Sequence, residues 1–236
     1  MRVLILIPAY NESESLPAVV RELRTHVPGM DILVVDDGSD DDTGAVLPCL
    51  GVRWVRLPVR SGVGTAVRTG LRYARARGYD AVVRLDGDGQ HPARLVEPLL
   101  MPLRSGAAEV VIGSRYAARP RPKAVPFVRR LVHYVLGRIL SLLTGRLVTD
   151  PTSGLWAFGP RALELLADHH PSGYPEPELM LFVTRNALRT VEVPVDMRER
   201  RGGQSSLTLH RTGAAMLRLL VLLAVVPLRS AVKGRR

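Results

Sequence analysis

Four short apolar runs punctuate the first half of the chain: VLILI at 3–7, ILVV at 32–35, AVVRL at 81–85 and VVI at 110–112. Each is almost continuously apolar instead of alternating, which is the pattern of a strand buried on both faces. Amphipathic stretches of helical length lie between them, at about 14–27, 62–78 and 92–104, the last opened by Pro92 near its first turn. Strands alternating with helices predict an α/β domain built on a mostly parallel sheet. In such sheets ligands gather beyond the carboxyl ends of the strands. The segments in that position are PAYNE (8–12), DDGSDDDT (36–43) and DGDGQHP (86–92), and all three are polar.

The pattern changes after about residue 119. A basic, proline-rich stretch, RPRPKAVPFVRR, leads into LVHYVLGRILSLLTGRL, apolar residues broken by Arg138 and Arg146. This predicts an amphipathic helix within 124–148, and Leu207–Val232 predicts a second of the same kind. The apolar run at 214–228 is interrupted by Arg218 and falls short of the roughly 20 residues needed to span a bilayer, so both segments are expected to lie in a membrane interface or to pack on a partner. The opening MRVLILIP is too short for a signal peptide and reads as the first strand. No internal repeat is present. The expected organisation is a catalytic domain over 1–206, including 124–148, followed by an interface helix over 207–236.

Composition narrows the partners. The 236 residues carry 33 Lys+Arg against 22 Asp+Glu, a net charge of +11, which favours an anionic partner such as an acidic membrane surface or a phosphorylated molecule. Aromatic residues are only 5% and nowhere alternate with basic ones, so nucleic acid is not expected. Cys49 is the single cysteine, which excludes an internal disulfide, and it is expected to be a small buried hydrophobe.

Against that basic background the acids are clustered. Asp86 and Asp88 sit two positions apart at the end of a strand, on the same side and roughly 7 Å from each other, within reach of one hard cation. Gln90 offers a further oxygen, and a Mg²⁺ or Mn²⁺ held there keeps positions open for phosphate. Asp36 and Asp37 suit ribose hydroxyls or a base edge, while Ser39 or Asp40 can cap the following helix. The stretch RSGVGTAVRTG (60–70) gives a glycine-rich helix entry at Gly64, and Arg68 adds a cation, a combination that favours phosphate. It lacks the spacing of a P-loop, which argues against an ATPase.

IPAYNE, VVDDGSDDDT, GVGTAVRTGL, LDGDGQHP and VIGSRY occur in an order and spacing that resemble family-2 glycosyltransferases. Within that family the chain is similar to the dolichyl-phosphate mannose synthase branch, which acts on polyprenyl phosphates. The likeness covers about residues 1–205. It implies a GT-A fold, meaning a Rossmann-like nucleotide-sugar-binding domain, together with a divalent metal and inversion at the anomeric carbon. It places nucleotide-sugar contacts on Pro8, Tyr10, Glu12, Asp37 and Asp86, and the metal on Asp86, Asp88 and Gln90.

The resemblance also places the acceptor phosphate on Arg115 with Arg129 or Arg130, where a guanidinium fork matches phosphate geometry. Residues 149–163 resemble a D-x-T-S-G-F-R segment: Asp150, Thr152, Ser153 and Gly154 match, which adds Asp150 to the catalytic set and Ser153 to the acceptor site. Leu155 and Trp156 replace Phe-Arg and remove one cation. Glu176 and Glu178 fall where relatives acting on sugar hydroxyls carry a base, a group that an already ionised phosphate acceptor does not need. RERRGGQSS (198–206) resembles a loop closing over the donor diphosphate through Arg198, Arg200 or Arg201 and Ser205.

The expected reaction is therefore metal-dependent transfer from a GDP-mannose or UDP-hexose type donor to a polyprenyl phosphate, at the cytoplasmic face of the membrane. The alternatives are a family-2 enzyme acting on a glycan or lipid hydroxyl, a nucleotidyltransferase, and a non-catalytic membrane scaffold. A membrane-protein partner or a homo-oligomer is left open.

Overall fold

The computed structural model describes residues 1–117, 127–171 and 175–198. Seven strands, β1 (Val3–Ala9), β2 (Asp31–Asp36), β3 (Arg53–Arg56), β4 (Ala81–Arg84), β5 (Val110–Ser114), β6 (Trp156–Phe158) and β7 (Thr190–Pro194), form one sheet in the order β3-β2-β1-β4-β6-β5-β7. β6 runs antiparallel to β4 and β5, and every other pairing is parallel. The helices are α1 (Leu16–His26), α2 (Thr43–Val46), α3 (Val63–Ala76), α4 (Val96–Arg104), α5 (Phe127–Thr144), α6 (Pro160–His169) and α7 (Pro175–Arg185).

The four apolar runs become β1, β2, β4 and β5, and the three amphipathic stretches become α1, α3 and α4, the last preceded by a short 3₁₀ turn at Ala93–Leu95. Strand periodicity sorts β1 cleanly. Leu4 and Leu6 enter one core with α3, α6 and α7, while Val3, Ile5 and Ile7 enter the other with α1 and α4. Every residue of β1 is buried. A Cβ at Gly70 would run into the Leu6 side chain, so the missing side chain lets α3 lie close against β1.

One feature departs from expectation. Cys49 is exposed in the 3₁₀ turn that follows α2. α5 covers 127–144 of the amphipathic segment expected at 124–148, whereas the helix expected over 207–236, like Arg201 and Ser205, lies outside the described residues.

Candidate active site

The loops after β1 and β2 are knitted together by their own polar groups. Asn11, at φ 55°, donates its side-chain amide to Asp40 Oδ1 at 2.6 Å and its backbone N–H to Ser39 Oγ at 3.0 Å. Ser13 Oγ donates to Asp41 at 2.7 Å, and Glu12 N–H donates to Thr43 Oγ1 at 2.9 Å. Much of the acidic tail of DDGSDDDT thus holds the first loop in place. Glu12 itself is buried and accepts Ser15 Oγ at 2.7 Å. Pro8 is buried within β1, and the Tyr10 ring lies at the rim under the Arg60 guanidinium, 4.1 Å from its centroid.

The two aspartates that end β2 do different work. Asp36 is fully buried, accepts Ser39 Oγ at 2.5 Å and faces Arg56 Nε at 3.3 Å, so it braces its own turn. Asp37 sends one oxygen to each of two backbone N–H groups, Ser61 and Gly62, both at 2.8 Å. It thereby seats the entry to α3, where Gly64 is buried and Arg68 half-buried. Gly38, which follows Asp37, has φ +67°, and a Cβ there would come within 2.7 Å of the Val59–Arg60 backbone, so no other residue fits.

The D-x-D turn follows β4. Asp86 is a third exposed at the rim and Asp88 only 4% exposed, its Oδ1 accepting Gln90 N–H at 3.0 Å. Gly89, at φ 77°, makes the turn. His91 Nδ1 accepts the Asp86 N–H at 3.0 Å, so the ring proton sits on Nε2; burial lowers the His91 pKa, outweighing the pull of Asp86 and Asp88. Gly154 closes the far side: a Cβ there would lie 3.0 Å from Asp86 Cγ. Among the described residues no three His, Cys, Asp or Glu side chains form a metal-holding group. Two carboxylates and an amide oxygen are a hard, incomplete donor set, and this suits Mg²⁺ or Mn²⁺ that fills its other positions with water and phosphate.

Arg115, just past β5, is held by Asp150, just before β6. Its Nε and Nη2 reach the two Asp150 oxygens at 2.7 Å each, and Nη2 also donates to Thr152 Oγ1 at 2.9 Å. Burial disfavours the Arg115 charge, but Asp150 outweighs it and the pKa is raised. Ser153 is spent on the backbone, donating to Gly113 O at 2.5 Å and accepting Leu155 N–H at 3.2 Å. Arg129 and Arg130 fall on the first turn of α5, and their side chains lie outside the described residues. Arg198 pairs with Glu22 at 2.7 Å, and its N–H donates to Gln90 O, so the basic loop at 198–206 departs from beside the D-x-D turn.

One charged residue inside β4 escaped the sequence pattern. Arg84 is 1% exposed, and its Nη2 lies 2.9 Å from Glu176 Oε1, on the first turn of α7, and 3.5 Å from Asp86 Oδ1. Trp156 stands directly opposite it across β4–β6 and is also fully buried. The indole thus lies in the core, and the buried guanidinium stands across from it on the neighbouring strand. His170, at the end of α6, is pushed down to about 3 by burial and then by the Arg84 charge. Glu178 is half-buried one position beyond Pro177.

Sheet, rim and ordered motifs together define a glycosyltransferase of the GT-A type. The family model for glycosyl transferase family 2 matches residues 4–166, and the chain belongs to that family. It is 36% identical over 228 residues to an undecaprenyl-phosphate mannosyltransferase of Micrococcus luteus, covering 92% of each chain. It is 32% identical to a polyprenol monophosphomannose synthase of Mycolicibacterium smegmatis, covering 92% of this chain and 85% of that one. Among solved structures, glucosyl-3-phosphoglycerate synthase from Mycobacterium tuberculosis, in complex with Mn²⁺, uridine diphosphate and phosphoglyceric acid, superposes with a TM-score of 0.72 at 27% identity, covering 98% of this chain and 80% of that one.

Proposed function

We propose that this chain transfers a sugar, with inversion, from a nucleotide-sugar of the GDP-mannose or UDP-hexose type to a polyprenyl phosphate. The observation that carries the choice of acceptor is the Glu176–Arg84 ion pair. A hydroxyl acceptor needs a base; of the two glutamates on the first turn of α7 that could serve, Glu176 is committed to a buried guanidinium, which leaves Glu178 as the remaining candidate. A phosphate is already ionised near neutral pH and needs none. The names of the Micrococcus and Mycolicibacterium relatives support the same acceptor.

In this scheme a phosphate oxygen forms the new bond to the anomeric carbon, and the bond from that carbon to the donor diphosphate breaks, its electron pair leaving with the nucleoside diphosphate. Asp86, Asp88 and Gln90 would hold a divalent cation, whose chemistry is to neutralise charge on the leaving diphosphate; the Mn²⁺ in the mycobacterial structure supports the use of a divalent cation. Pro8, Tyr10, Glu12 and Asp37 frame the nucleotide, with Gly64 and Arg68 behind its phosphates, while Arg115, with Arg129 or Arg130, faces the acceptor. Asp150 keeps the Arg115 fork planar and aimed.

The protein would work as a peripheral enzyme on the cytoplasmic face of an anionic membrane. Among the described residues no helix is long and apolar enough to cross a membrane. α5 nevertheless exposes Tyr134, Val135, Leu142 and Leu143, with Leu142 at 85%, beside Arg138, an apolar face with a basic flank that suits an interface. The test is a donor screen with polyprenyl phosphate or a glycan as acceptor, with and without EDTA. Metal-dependent formation of a lipid-linked sugar is expected; transfer to the glycan hydroxyl alone, or full activity in EDTA, refutes the corresponding part.

A further inference from the structure

Arg84 is the charge that the proposed reaction does not use. It points from β4 into the core shared with α3, α6 and α7, on the same face as Val82. Its Nε and Nη1 are buried and, among the described residues, have no hydrogen-bond partner. Burial works against its charge, yet Glu176 and Asp86 more than compensate and its pKa is raised. His170 is neutral at that distance and supplies no anion. One guanidinium is thus shared, through Nη2, between two carboxylates: Glu176 at 2.9 Å and the first D-x-D aspartate at 3.5 Å.

A fully buried cation is costly unless paired, and a rim aspartate beside a second carboxylate is equally costly unless neutralised. We propose that Arg84 is a resident counter-cation for Asp86, a positioning residue that holds this carboxylate neutralised and aimed in the absence of metal and competes with a divalent cation for it. Gly154 limits Asp86 from the other side, so the carboxylate is confined between a glycine and a guanidinium. When a cation binds Asp86, Arg84 keeps its shorter contact to Glu176 and is never left unpaired. Metal affinity is thereby held down, which favours release of the cation together with the nucleoside diphosphate after each turnover. This inference rests on the assignment of Asp86 to the metal.

The test is direct binding of Mn²⁺ alone to the full chain, followed by the electron paramagnetic resonance signal of the free ion. A positive charge this close to a divalent site opposes binding, so Arg84→Met should bind Mn²⁺ roughly tenfold tighter or more, and Arg84→Lys, which keeps the charge, should stay near the wild type. Glu176→Gln leaves Arg84 with Asp86 as its only carboxylate among the described residues and should bind Mn²⁺ severalfold more weakly; this partly exposed position also serves if Arg84→Met does not fold. Unchanged or weaker Mn²⁺ binding in folded Arg84→Met, or unchanged binding in Glu176→Gln, overturns the inference while leaving the metal assignment intact. Failure of both the wild type and Arg84→Met to bind Mn²⁺ overturns both.

Discussion

Asp37 offers the sharpest separation of scaffold from ligand contact, because its two carboxylate oxygens are each taken by a backbone N–H at 2.8 Å. Asparagine keeps one acceptor and turns its amino group toward the other N–H, so one charge-assisted bond is lost and one donor is left facing a donor. Hydrogen bonds to charged groups contribute about 1.5–3 kcal/mol each, and the site is 3% exposed, so Asp37→Asn should cost about 2–3 kcal/mol. For a chain of this size each kcal/mol moves Tm by about 2–4 °C, which gives a fall of roughly 4–12 °C. A calorimetric melt at pH 7 measures it, and donor KM should rise in parallel because the entry to α3 loosens. A variant that melts within 1 °C of the wild type but loses donor binding would refute the reasoning, since Asp37 would then act on the ligand without bracing the loop.

Gly154→Ala would press a methyl group against the Asp86 carboxylate; kcat should fall on the order of 100-fold with the melting curve little changed, and wild-type turnover would show that the carboxylate can swing away. Arg115→Lys keeps a cation over Asp150 but gives up the two-pronged contact, so acceptor KM should rise about tenfold, one lost bond's worth, while donor affinity by calorimetry holds; equal loss of both would move Arg115 to the donor site. His170 stays neutral in the folded chain, with a pKa of about 3 against an ordinary 6.5. The unfolded chain therefore binds the extra proton, and stability is complete above pH 6.5 and declines as pH falls from 6.5 toward 3. Between pH 7 and pH 5 this amounts to about 2 kcal/mol in urea unfolding, a drop that should vanish in His170→Gln and that, if it persists there, belongs to another group.

The sequence made the buried strands readable because VLILI or ILVV has no other stable home than a sheet covered on both sides. β3 and β7 were not readable: RWVR and TVEVP are short edge strands that mix charged with apolar residues and leave Trp54 and Val191 exposed, so neither shows a continuous apolar run. β6 is three residues long, too short for any period to register. The acids of the rim were legible as a cluster, but their division of labour was not. That Asp37 seats a helix, and that Asp150 takes Arg115, depends on contacts across 24 to 35 residues of chain. Arg84 was hidden for a different reason: a single cation inside AVVRL looks like an interruption in a strand until the Glu176 side chain arrives from 92 residues away.

The Arg115–Asp150 pair joins residues 35 apart, at the two points where the chain leaves β5 and re-enters the sheet at β6. Between them α5 is held a second time, by Leu136 and Leu140, which are buried in the core shared with α3, α6 and α7. The entropy of closing such a loop grows only logarithmically, so doubling its length costs about 0.6 kcal/mol. The exposed side of α5 can vary while the strands that present Asp37, Asp86 and Asp88 keep their register. A substitution at the Arg115–Asp150 neck would be felt on both sides of the site.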